Sequence, residues 1–272
     1  MLASMCGRYA ASRNVDDLRV EFELAAVPER ALAPDWNVAP TKEVYAVIGR
    51  QGPGGAGGSE VRRELAIARW GLVPSWAKDP SIGNRMINAR AETVDSKPAF
   101  RRAFAKRRCL VPADGYYEWY IPSQGPTGRG SRPLKQPFLI HRADGGMMAM
   151  AGLYEIWRDP SRAQDDSPDD AEGWLTTVTV ITTAAEVAIG QIHDRMPLLL
   201  ERDRWNRWLD PSFDGSQGDL RDLLRPPVPG ALEAHPVSTA VNSVRNNGPD
   251  LLLPIGAEVE VAVEEQDAPG LF

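Results

Sequence analysis

Apolar residues along this chain recur mostly in the two-residue alternation or the short unbroken runs that are typical of β-strands. Such runs cover residues 44–48, 65–70, 116–120, 138–141, 147–157, 175–183 and 198–200. No strand–helix–strand rhythm connects them, and no internal repeat is visible. The pattern therefore predicts an α+β protein with a β-rich core and not a parallel α/β fold.

Helical spacing is confined to short segments. Residues 14–23 place Val15, Leu18 and Phe22 on one side, and Asn14 is a candidate N-cap. Further segments with helical spacing cover residues 98–108, 184–191, 202–209 and 218–224. The composition of residues 35–41, in contrast, predicts a rigid loop, because asparagine and proline interrupt a short stretch of mixed polar and apolar residues. We therefore expect a few peripheral helices around the sheets.

The length of 272 residues suits one large domain, and the 43% hydrophobic and 25% charged content is ordinary for a globular protein. We expect a single domain over residues 5–254. Residues 1–4 have no organised pattern and resemble an upstream leader or a mis-assigned start. We expect residues 255–272, which are acidic, to form a C-terminal strand and tail.

The chain has two cysteines, Cys6 and Cys109, and no cluster of cysteine and histidine at metal-ligand spacing. This excludes a disulfide framework and argues against a structural zinc site. No basic segment precedes an apolar run, and no apolar stretch is long enough to span a bilayer. These features predict a cytoplasmic protein that does not associate with a membrane.

Charge is distributed unevenly. The chain carries a net charge of −6, yet thirteen Lys/Arg and five Asp/Glu lie between Arg50 and Arg108, which gives that segment +8 and leaves −14 for the rest. A local basic excess matters more than the total for binding a polyanion. A solvated basic face would show the same pattern, so charge alone does not decide between the two interpretations.

Cys6 directly follows Met5, and cysteine is small enough for a preceding initiator methionine to be removed. A chain that began at Cys6 would carry an α-amine and a thiol on adjacent carbons. An aldehyde would condense with the amine to an imine, and the thiol would then close a five-membered thiazolidine ring. The alternative is a buried cysteine with a packing role, which is common for this residue type.

Three other residues have chemistry that suits Cys6. Asn88 could position an amine or a sugar oxygen, or it could be an ordinary turn residue. Glu118 lies among aromatic residues, where burial would raise its pKa and favour proton transfer, although strand alternation could equally place it in solvent. His193 could act as an acid or base near neutral pH. We assign His141 and His235 to structural roles.

The chain resembles the SOS response-associated peptidase (SRAP) family. The resemblance extends from Met5 to about Pro254 and rests on seven ordered blocks, at residues 6–9, 37–41, 70–74, 88–93, 109–119, 193–197 and 235–238. It implies a single β-rich domain with a positively charged groove. It also implies covalent capture of abasic sites in single-stranded DNA, which protects the strand from cleavage.

The resemblance also implies residue roles. Cys6 would form the link, Asn88 would orient the amine and the opened sugar, Glu118 would shuttle protons, and His193 would contact the sugar hydroxyl and assist reversal. Contacts to DNA would come from Arg8, Asn37, Pro40, Trp76 and Arg90. The implied partner is single-stranded DNA with an abasic site, bound by a nucleoid-associated monomer that needs no metal and no cofactor.

Two other functions fit the same residues. A cysteine peptidase could use Cys6 and His193, in particular to remove its own short leader. A binding module could recognise single-stranded or modified DNA without any chemistry. The glycine-rich segment 51–59, the acidic segment 158–173 and the acidic tail depart from the family pattern, and we expect the acidic segments to lie away from the groove.

Overall fold

The computed structural model describes residues 6–52, 61–122, 134–162, 173–213, 220–226 and 230–256. Strands dominate this part of the chain, which confirms the α+β prediction. The strands are β1 Tyr9–Ala11, β2 Asp35–Val38, β3 Glu43–Gln51, β4 Val61–Trp70, β5 Asn88–Arg90, β6 Arg108–Ala113, β7 Gly115–Tyr120, β8 Gln136–Arg142, β9 Met148–Arg158, β10 Trp174–Ala184, β11 Arg195–Pro197 and β12 Leu232–Pro236. The α-helices are α1 Val15–Phe22, α2 Arg101–Lys106, α3 Val187–Gly190 and α4 Arg202–Leu209.

The strands form two sheets. The first has the order β12-β8-β7-β1-β2 and is antiparallel throughout. In the second, β10, β4, β3, β6 and β9 each pair with two others of the five, so they close into a barrel. Strands β5 and β11 extend this barrel along the C-terminal half of β10.

Buried side chains separate the structure into layers. Alternate residues of β3 point to opposite faces, and both faces are buried: Val44, Ala46 and Ile48 enter one apolar cluster, whereas Tyr45 and Val47 enter another. The first cluster lies between the two sheets and also contains Cys6. The second lies under the helices. A third covers the outer face of the first sheet.

Several predicted elements differ in extent. The predicted helix 14–23 is present as α1, and Asn14 caps it by accepting a hydrogen bond from the Asp17 backbone N–H at 2.9 Å. The predicted helix 98–108 is wrong at its end, because Arg108 begins β6 and its guanidinium is buried. The predicted rigid loop 35–41 contains strand β2, which pairs with β1.

The predicted β run at residues 198–200 is also wrong, because β11 ends at Pro197 and only an isolated bridge joins Leu199 to Met150. The predicted helix 218–224 is a 3-10 helix over Leu220–Leu224. Most of the glycine-rich and acidic segments, residues 1–5 and residues 257–272 lie outside the described residues. None of the described helices is long and apolar enough to cross a membrane.

Candidate functional site

Cys6 lies at the edge of the apolar layer between the sheets, three residues before β1. Its side chain is almost fully buried, and its backbone φ of 35° is in the left-handed region, which is unfavourable for a residue with a Cβ. Its backbone nitrogen donates a hydrogen bond to Glu118 Oε1 at 2.6 Å. In the chain described here this atom is the Met5–Cys6 peptide nitrogen, and it is the atom that would become an α-amine if the chain began at Cys6.

Glu118 is placed beside Cys6 by the register of β1 and β7, in which Tyr9 is opposite Tyr116. Residues two apart on a strand share a face, so Glu118 points inward with Tyr116, whereas Tyr117 points to the outer cluster. Glu118 is 2% exposed. The structure therefore excludes the solvent-facing orientation that was the alternative for this residue.

Burial raises the pKa of the Glu118 carboxyl to about 7, against an opposing effect of the backbone N–H groups of Cys6 and Trp119. The negative charge of Asp194 raises this pKa further, and the positive charge of Lys135 lowers it. A carboxyl group with a pKa near 7 is divided between its protonated and ionised forms at neutral pH. It can therefore both donate and accept a proton in one reaction cycle.

Burial also raises the pKa of the Cys6 thiol well above its ordinary value, and the nearby Glu118 charge adds to this effect. The thiol is therefore protonated at neutral pH. A nucleophilic thiolate would need a positive neighbour, and the surroundings of Cys6 act in the opposite direction. The nitrogen of Cys6, held against a proton-accepting carboxyl group, is the better placed nucleophile of the two once it is a free amine.

An open pocket of about 670 Å³ lies over Glu118 and His193. Strand β7 of the first sheet and the loop before β11 contribute to it, and its wall combines basic, aromatic and polar side chains. The lining residues are Gly7, Arg8, Pro40, Glu118, Trp119, Tyr120, Ile121, Lys135, Gln191, Ile192, His193 and Asn242. The pocket thus brings together Glu118, His193, Arg8 and Pro40, which lie far apart in the sequence.

Asn88 approaches Cys6 from the second sheet, where its Nδ2 donates to the Cys6 carbonyl oxygen at 3.3 Å. An ion pair joins the 3-10 helix Ala91–Thr93, which follows the strand of Asn88, to Arg195, two residues after His193. Arg195 donates through both terminal nitrogens to Glu92, and its Nη2 also donates to the Thr182 carbonyl oxygen at 2.6 Å. This contact fixes the two motifs to each other.

Arg8 also lines the pocket. Its Nη1 donates to Asn37 Oδ1 at 2.7 Å and to the Val241 carbonyl oxygen at 2.9 Å, and the guanidinium lies over the Trp119 ring. Burial lowers the pKa of Arg8, but a guanidinium remains charged at any physiological pH. The structure therefore places a partly shielded positive charge at the pocket wall.

Asn37 is placed differently from the sequence prediction. Its side chain is fully buried and donates through Nδ2 to the carbonyl oxygens of Val241, Ser243 and Asn246. It holds the segment that supplies Asn242 to the pocket, and it has no exposed surface with which to touch DNA directly. Pro40, which belongs to the predicted rigid loop 35–41, does line the pocket.

Trp76 and Arg90 lie outside that pocket. Trp76 is 57% exposed and lines a second open pocket of about 520 Å³ with Lys78, Arg85 and other residues. Arg90 is exposed on β5, two residues from Asn88 and therefore on the same face of the strand. This second pocket presents an exposed aromatic ring, two basic side chains and the acidic side chain of Asp79.

Sequence reasoning missed Trp119, Lys135 and Asn242 as pocket residues. Trp119 Nε1 donates to Asn242 Oδ1 at 2.7 Å, which fixes the ring beside Arg8. The signal for Trp119 was its position next to Glu118. Nothing in the local pattern around Lys135 or Asn242 indicated that two distant segments meet at this pocket.

The remaining histidines do not line the pocket. His141 Nε2 and His235 Nδ1 contact each other at 3.2 Å, and the other ring nitrogens contact the carbonyl oxygens of Arg142 and Leu252. Within the described residues, no three side chains of His, Cys, Asp or Glu come together in a way that could hold a metal ion.

The site is thus a buried cysteine whose backbone nitrogen contacts a protonatable carboxyl group, in a β-rich structure of two sheets. The sequence model of the SOS response associated peptidase (SRAP) family matches residues 5–244. The chain therefore belongs to this family, as the sequence motifs predicted.

Curated relatives share most of their length with this chain. It is 38% identical over 249 residues to the abasic site processing protein YoqW of Bacillus subtilis, covering 91% of this chain and 99% of that protein. It is 33% identical to the abasic site processing protein HMCES of Gallus gallus, covering 92% of this chain and 78% of that protein. The abasic site processing protein YedK of Escherichia coli is 30% identical, with coverage of 92% and 100%.

Solved structures share the fold. A crystal structure of a Bacteroides thetaiotaomicron protein matches with a TM-score of 0.71 and 22% identity, covering 92% of this chain and all of that one. At this identity the likeness establishes the architecture alone.

Proposed function

We propose that this protein captures abasic sites in single-stranded DNA by forming a covalent thiazolidine link through Cys6. The observation that carries the proposal is the 2.6 Å contact between the Cys6 nitrogen and the buried carboxyl group of Glu118. The names of the relatives, abasic site processing proteins, support the abasic site as the target. An abasic site in its ring-opened form presents an aldehyde, and an aldehyde is the partner that an adjacent amine and thiol require.

The reaction balances without a metal or cofactor. The Cys6 amine adds to the aldehyde carbon to give a carbinolamine, which loses water to form an iminium ion. The thiol sulfur then adds to the iminium carbon and releases its proton, which closes the ring. The net change is one aldehyde, one amine and one thiol converted into one thiazolidine and one water.

Glu118 serves two steps in this scheme. As a carboxylate it accepts a proton from the Cys6 ammonium and frees the amine. As a carboxylic acid it protonates the leaving hydroxyl of the carbinolamine. A pKa of about 7 makes both forms available at neutral pH. Because the thiol of Cys6 is held neutral, we infer that the amine reacts first and the thiol second.

The other site residues bind and orient in this proposal. Asn88 holds the Cys6 backbone, His193 contacts the sugar hydroxyl and assists ring closure and reversal, and Arg8 and Arg90 hold phosphates on either side of the lesion. Trp76 and Pro40 supply apolar wall. An abasic nucleotide has no base to unstack, so it enters a pocket at low cost. Binding of the strand should weaken with salt.

The test uses protein that begins at Cys6 and a single-stranded oligonucleotide in which a glycosylase has converted one uracil to an abasic site. We expect an adduct that survives a denaturing gel. Cys6→Ala should bind the oligonucleotide but give no stable adduct, because its amine forms only an imine. Borohydride should trap that imine and reveal the first step separately.

Cys109→Ala is the matched control, because Cys109 is the other free, buried cysteine. It should form the adduct at the wild-type rate. A chain that retains Met5 should form none, because a peptide nitrogen is not a nucleophile. A stable adduct with Cys6→Ala, or with a chain that keeps Met5, would overturn the proposed chemistry.

Removal of residues 1–5 by the protein itself is a second candidate activity. The positive φ of Cys6 and the Glu118 contact at its peptide nitrogen favour it. The Cys6 thiol would attack the Met5 carbonyl carbon, Glu118 would protonate the departing nitrogen, and water would hydrolyse the thioester. Intact mass of purified wild type and Glu118→Gln tests this. A wild-type chain that keeps Met5 after prolonged incubation would argue against it.

A further inference from the structure

The buried amide of Asn37 contacts two separate segments of the pocket wall. Its Oδ1 accepts a hydrogen bond from Arg8 Nη1 at 2.7 Å, and its Nδ2 donates to the carbonyl oxygens of Val241, Ser243 and Asn246 at 3.2, 3.0 and 3.0 Å. A guanidinium only donates hydrogen bonds, and a backbone carbonyl only accepts them. The amide therefore satisfies all four contacts in one orientation, with its oxygen toward Arg8.

The same contacts fix the guanidinium of Arg8. Its Nη1 carries two N–H groups, which donate to Asn37 Oδ1 at 2.7 Å and to the Val241 carbonyl oxygen at 2.9 Å. Asn37 also binds that carbonyl oxygen, so it holds both acceptors of Arg8 in place. Within the described residues, Arg8 Nη2 has no hydrogen-bond acceptor. Arg8 thus keeps one end of its guanidinium available at the wall of the pocket over Glu118.

The aromatic ring under Arg8 is positioned through the same segment. The Arg8 guanidinium lies over the Trp119 ring, and Trp119 Nε1 donates to Asn242 Oδ1 at 2.7 Å. Asn37 binds the carbonyl oxygens on either side of Asn242, at positions 241 and 243. Loss of the Asn37 amide would therefore weaken both supports of Arg8, the two acceptors and the ring.

These contacts do not cancel the charge of Arg8, because an amide is neutral. The carboxylate of Asp35 on β2 is bound instead by Lys42 Nζ at 2.6 Å and by the Asn37 backbone N–H at 2.8 Å. No carboxylate in the described part of the chain forms an ion pair with Arg8. A carboxylate at position 37 would also accept a hydrogen bond from Arg8, but it would neutralise the guanidinium and would have no N–H for the three carbonyl oxygens.

We propose that Asn37 is a positioning residue whose neutral amide holds Arg8 ready to bind a DNA phosphate and leaves its positive charge available to that phosphate. This rests on the proposed function, in which Arg8 holds a phosphate beside the abasic site. A long side chain loses rotamer freedom when it binds a ligand, and a guanidinium that is already fixed loses less. Because Asn37 is fully buried, it acts through Arg8 and does not touch DNA itself.

The experiment measures binding of single-stranded DNA by fluorescence anisotropy over a range of salt concentrations, for protein that begins at Cys6. The DNA contains a tetrahydrofuran analogue of the abasic site, which has no aldehyde and cannot be linked. Arg8→Ala should weaken binding about fivefold near 0.1 M salt and reduce the steepness of log K against log salt by about 0.7, because one phosphate contact is lost.

Two substitutions of Asn37 separate charge from orientation. Asn37→Asp should reduce the salt dependence as much as Arg8→Ala does, because the new carboxylate neutralises Arg8. Asn37→Ala should weaken binding about threefold and keep the wild-type salt dependence, because Arg8 retains its charge but loses its orientation. Asn14→Asp controls for the added negative charge. Asn14 is the exposed N-cap of α1, where aspartate caps equally well, so affinity and salt dependence should stay unchanged.

A double-mutant cycle distinguishes positioning from a general loss of structure. If Asn37 acts through Arg8, Asn37→Ala should weaken binding little further in an Arg8→Ala background, whereas a purely structural effect would be additive. Additivity in this cycle, or a wild-type salt dependence for Asn37→Asp, would overturn the proposal. Asn37→Asp keeps an acceptor for Arg8, so it supplies the second variant should Asn37→Ala fail to fold.

Nitrogen-15 NMR of the Arg8 guanidinium gives a readout that needs no DNA. The Nη1 protons should exchange with water more slowly in wild type than in a free arginine, because both are hydrogen-bonded. Asn37→Ala should remove this protection, and protection that persists in the variant would refute the positioning role. Failure of wild type to bind single-stranded DNA would refute the proposed function and would leave this exchange measurement as a valid test of Asn37.

Discussion

Replacement of Glu118 by glutamine should remove a loss of stability that wild type shows as the pH rises through neutrality, although it slows the proposed reaction. The folded protein raises the pKa of this carboxyl group from its ordinary 4.5 to about 7. The native state therefore holds the proton more tightly than the unfolded chain. Stability is unaffected by this group below pH 4.5, falls as the pH rises toward 7, and is lowest above it.

The size of the effect follows from that difference. At about 1.4 kcal/mol per tenfold change in proton affinity, ionising Glu118 in the folded state costs about 3 kcal/mol above pH 7. Between pH 5 and pH 8 the cost changes by about 2.5 kcal/mol. Glutamine does not ionise, so the free energy of unfolding of Glu118→Gln should exceed that of wild type by about 2.5 kcal/mol more at pH 8 than at pH 5. Any constant cost of a buried amide cancels in this comparison.

The assay is urea unfolding of both proteins at the two pH values, with intact mass showing that the Met5–Cys6 bond is present. A free ammonium at Cys6 would favour the ionised carboxylate and reduce the effect. Glu155→Gln is the control, because Glu155 is buried on β9 with its carboxylate 2.7 Å from Arg107 Nη2. It should be destabilising at both pH values. If wild type and Glu118→Gln lose stability in parallel from pH 5 to pH 8, the folded protein does not raise the pKa of Glu118 as we infer.

Three further predictions concern charged side chains. Arg8→Ala and Arg90→Ala should each weaken binding of abasic single-stranded DNA and lower the slope of log K against log salt by about 0.7, measured by fluorescence anisotropy, whereas Arg158→Ala should leave the slope unchanged. Glu92→Gln should slow adduct formation without changing that slope, because it loosens the contact between Arg195 and the 3-10 helix that follows the strand of Asn88. Arg108→Met should cost at least about 3 kcal/mol in urea unfolding, because five backbone carbonyl oxygens lose their donor.

The sequence predicted the strands well where their apolar runs are long. Residues 44–48 and 175–183 lie in β3 and β10, and both strands are buried on two faces. That same burial explains why alternation could not place Glu118. On β7, Tyr116 points to the inner cluster and Tyr117 to the outer one, so neither face of the strand is a solvent face. The alternation of residues along β7 therefore does not indicate on which face of the strand the Glu118 carboxyl group lies.

Long-range contacts account for the other differences. Arg108 follows four basic residues in a segment of helical spacing, which suggests an exposed basic face. The residue is nevertheless 3% exposed, and its guanidinium donates hydrogen bonds to carbonyl oxygens at and beyond the ends of α2 and α4. Asn37 has the composition of a loop residue, yet it is the buried centre of a contact with residues more than 200 positions away. The spacing of residues in the sequence does not reveal the contacts of either Arg108 or Asn37.

The order of the two nucleophiles of Cys6 can be tested without DNA. A free cysteine is about one-tenth thiolate at pH 7.5, and each pKa increase of one lowers that fraction about tenfold. Burial and the Glu118 charge raise the pKa of the Cys6 thiol well above its ordinary value, and the side chain is 1% exposed. Alkylation of Cys6 by iodoacetamide in the folded protein should therefore be at least about a hundredfold slower than in urea. Cys109, which is equally buried, provides an internal comparison, and peptide mass spectrometry separates the two sites. Alkylation of Cys6 at the unfolded rate, with Cys109 still protected, would show an accessible thiolate. In that case the thiol, and not the amine, would be the first nucleophile to meet the aldehyde.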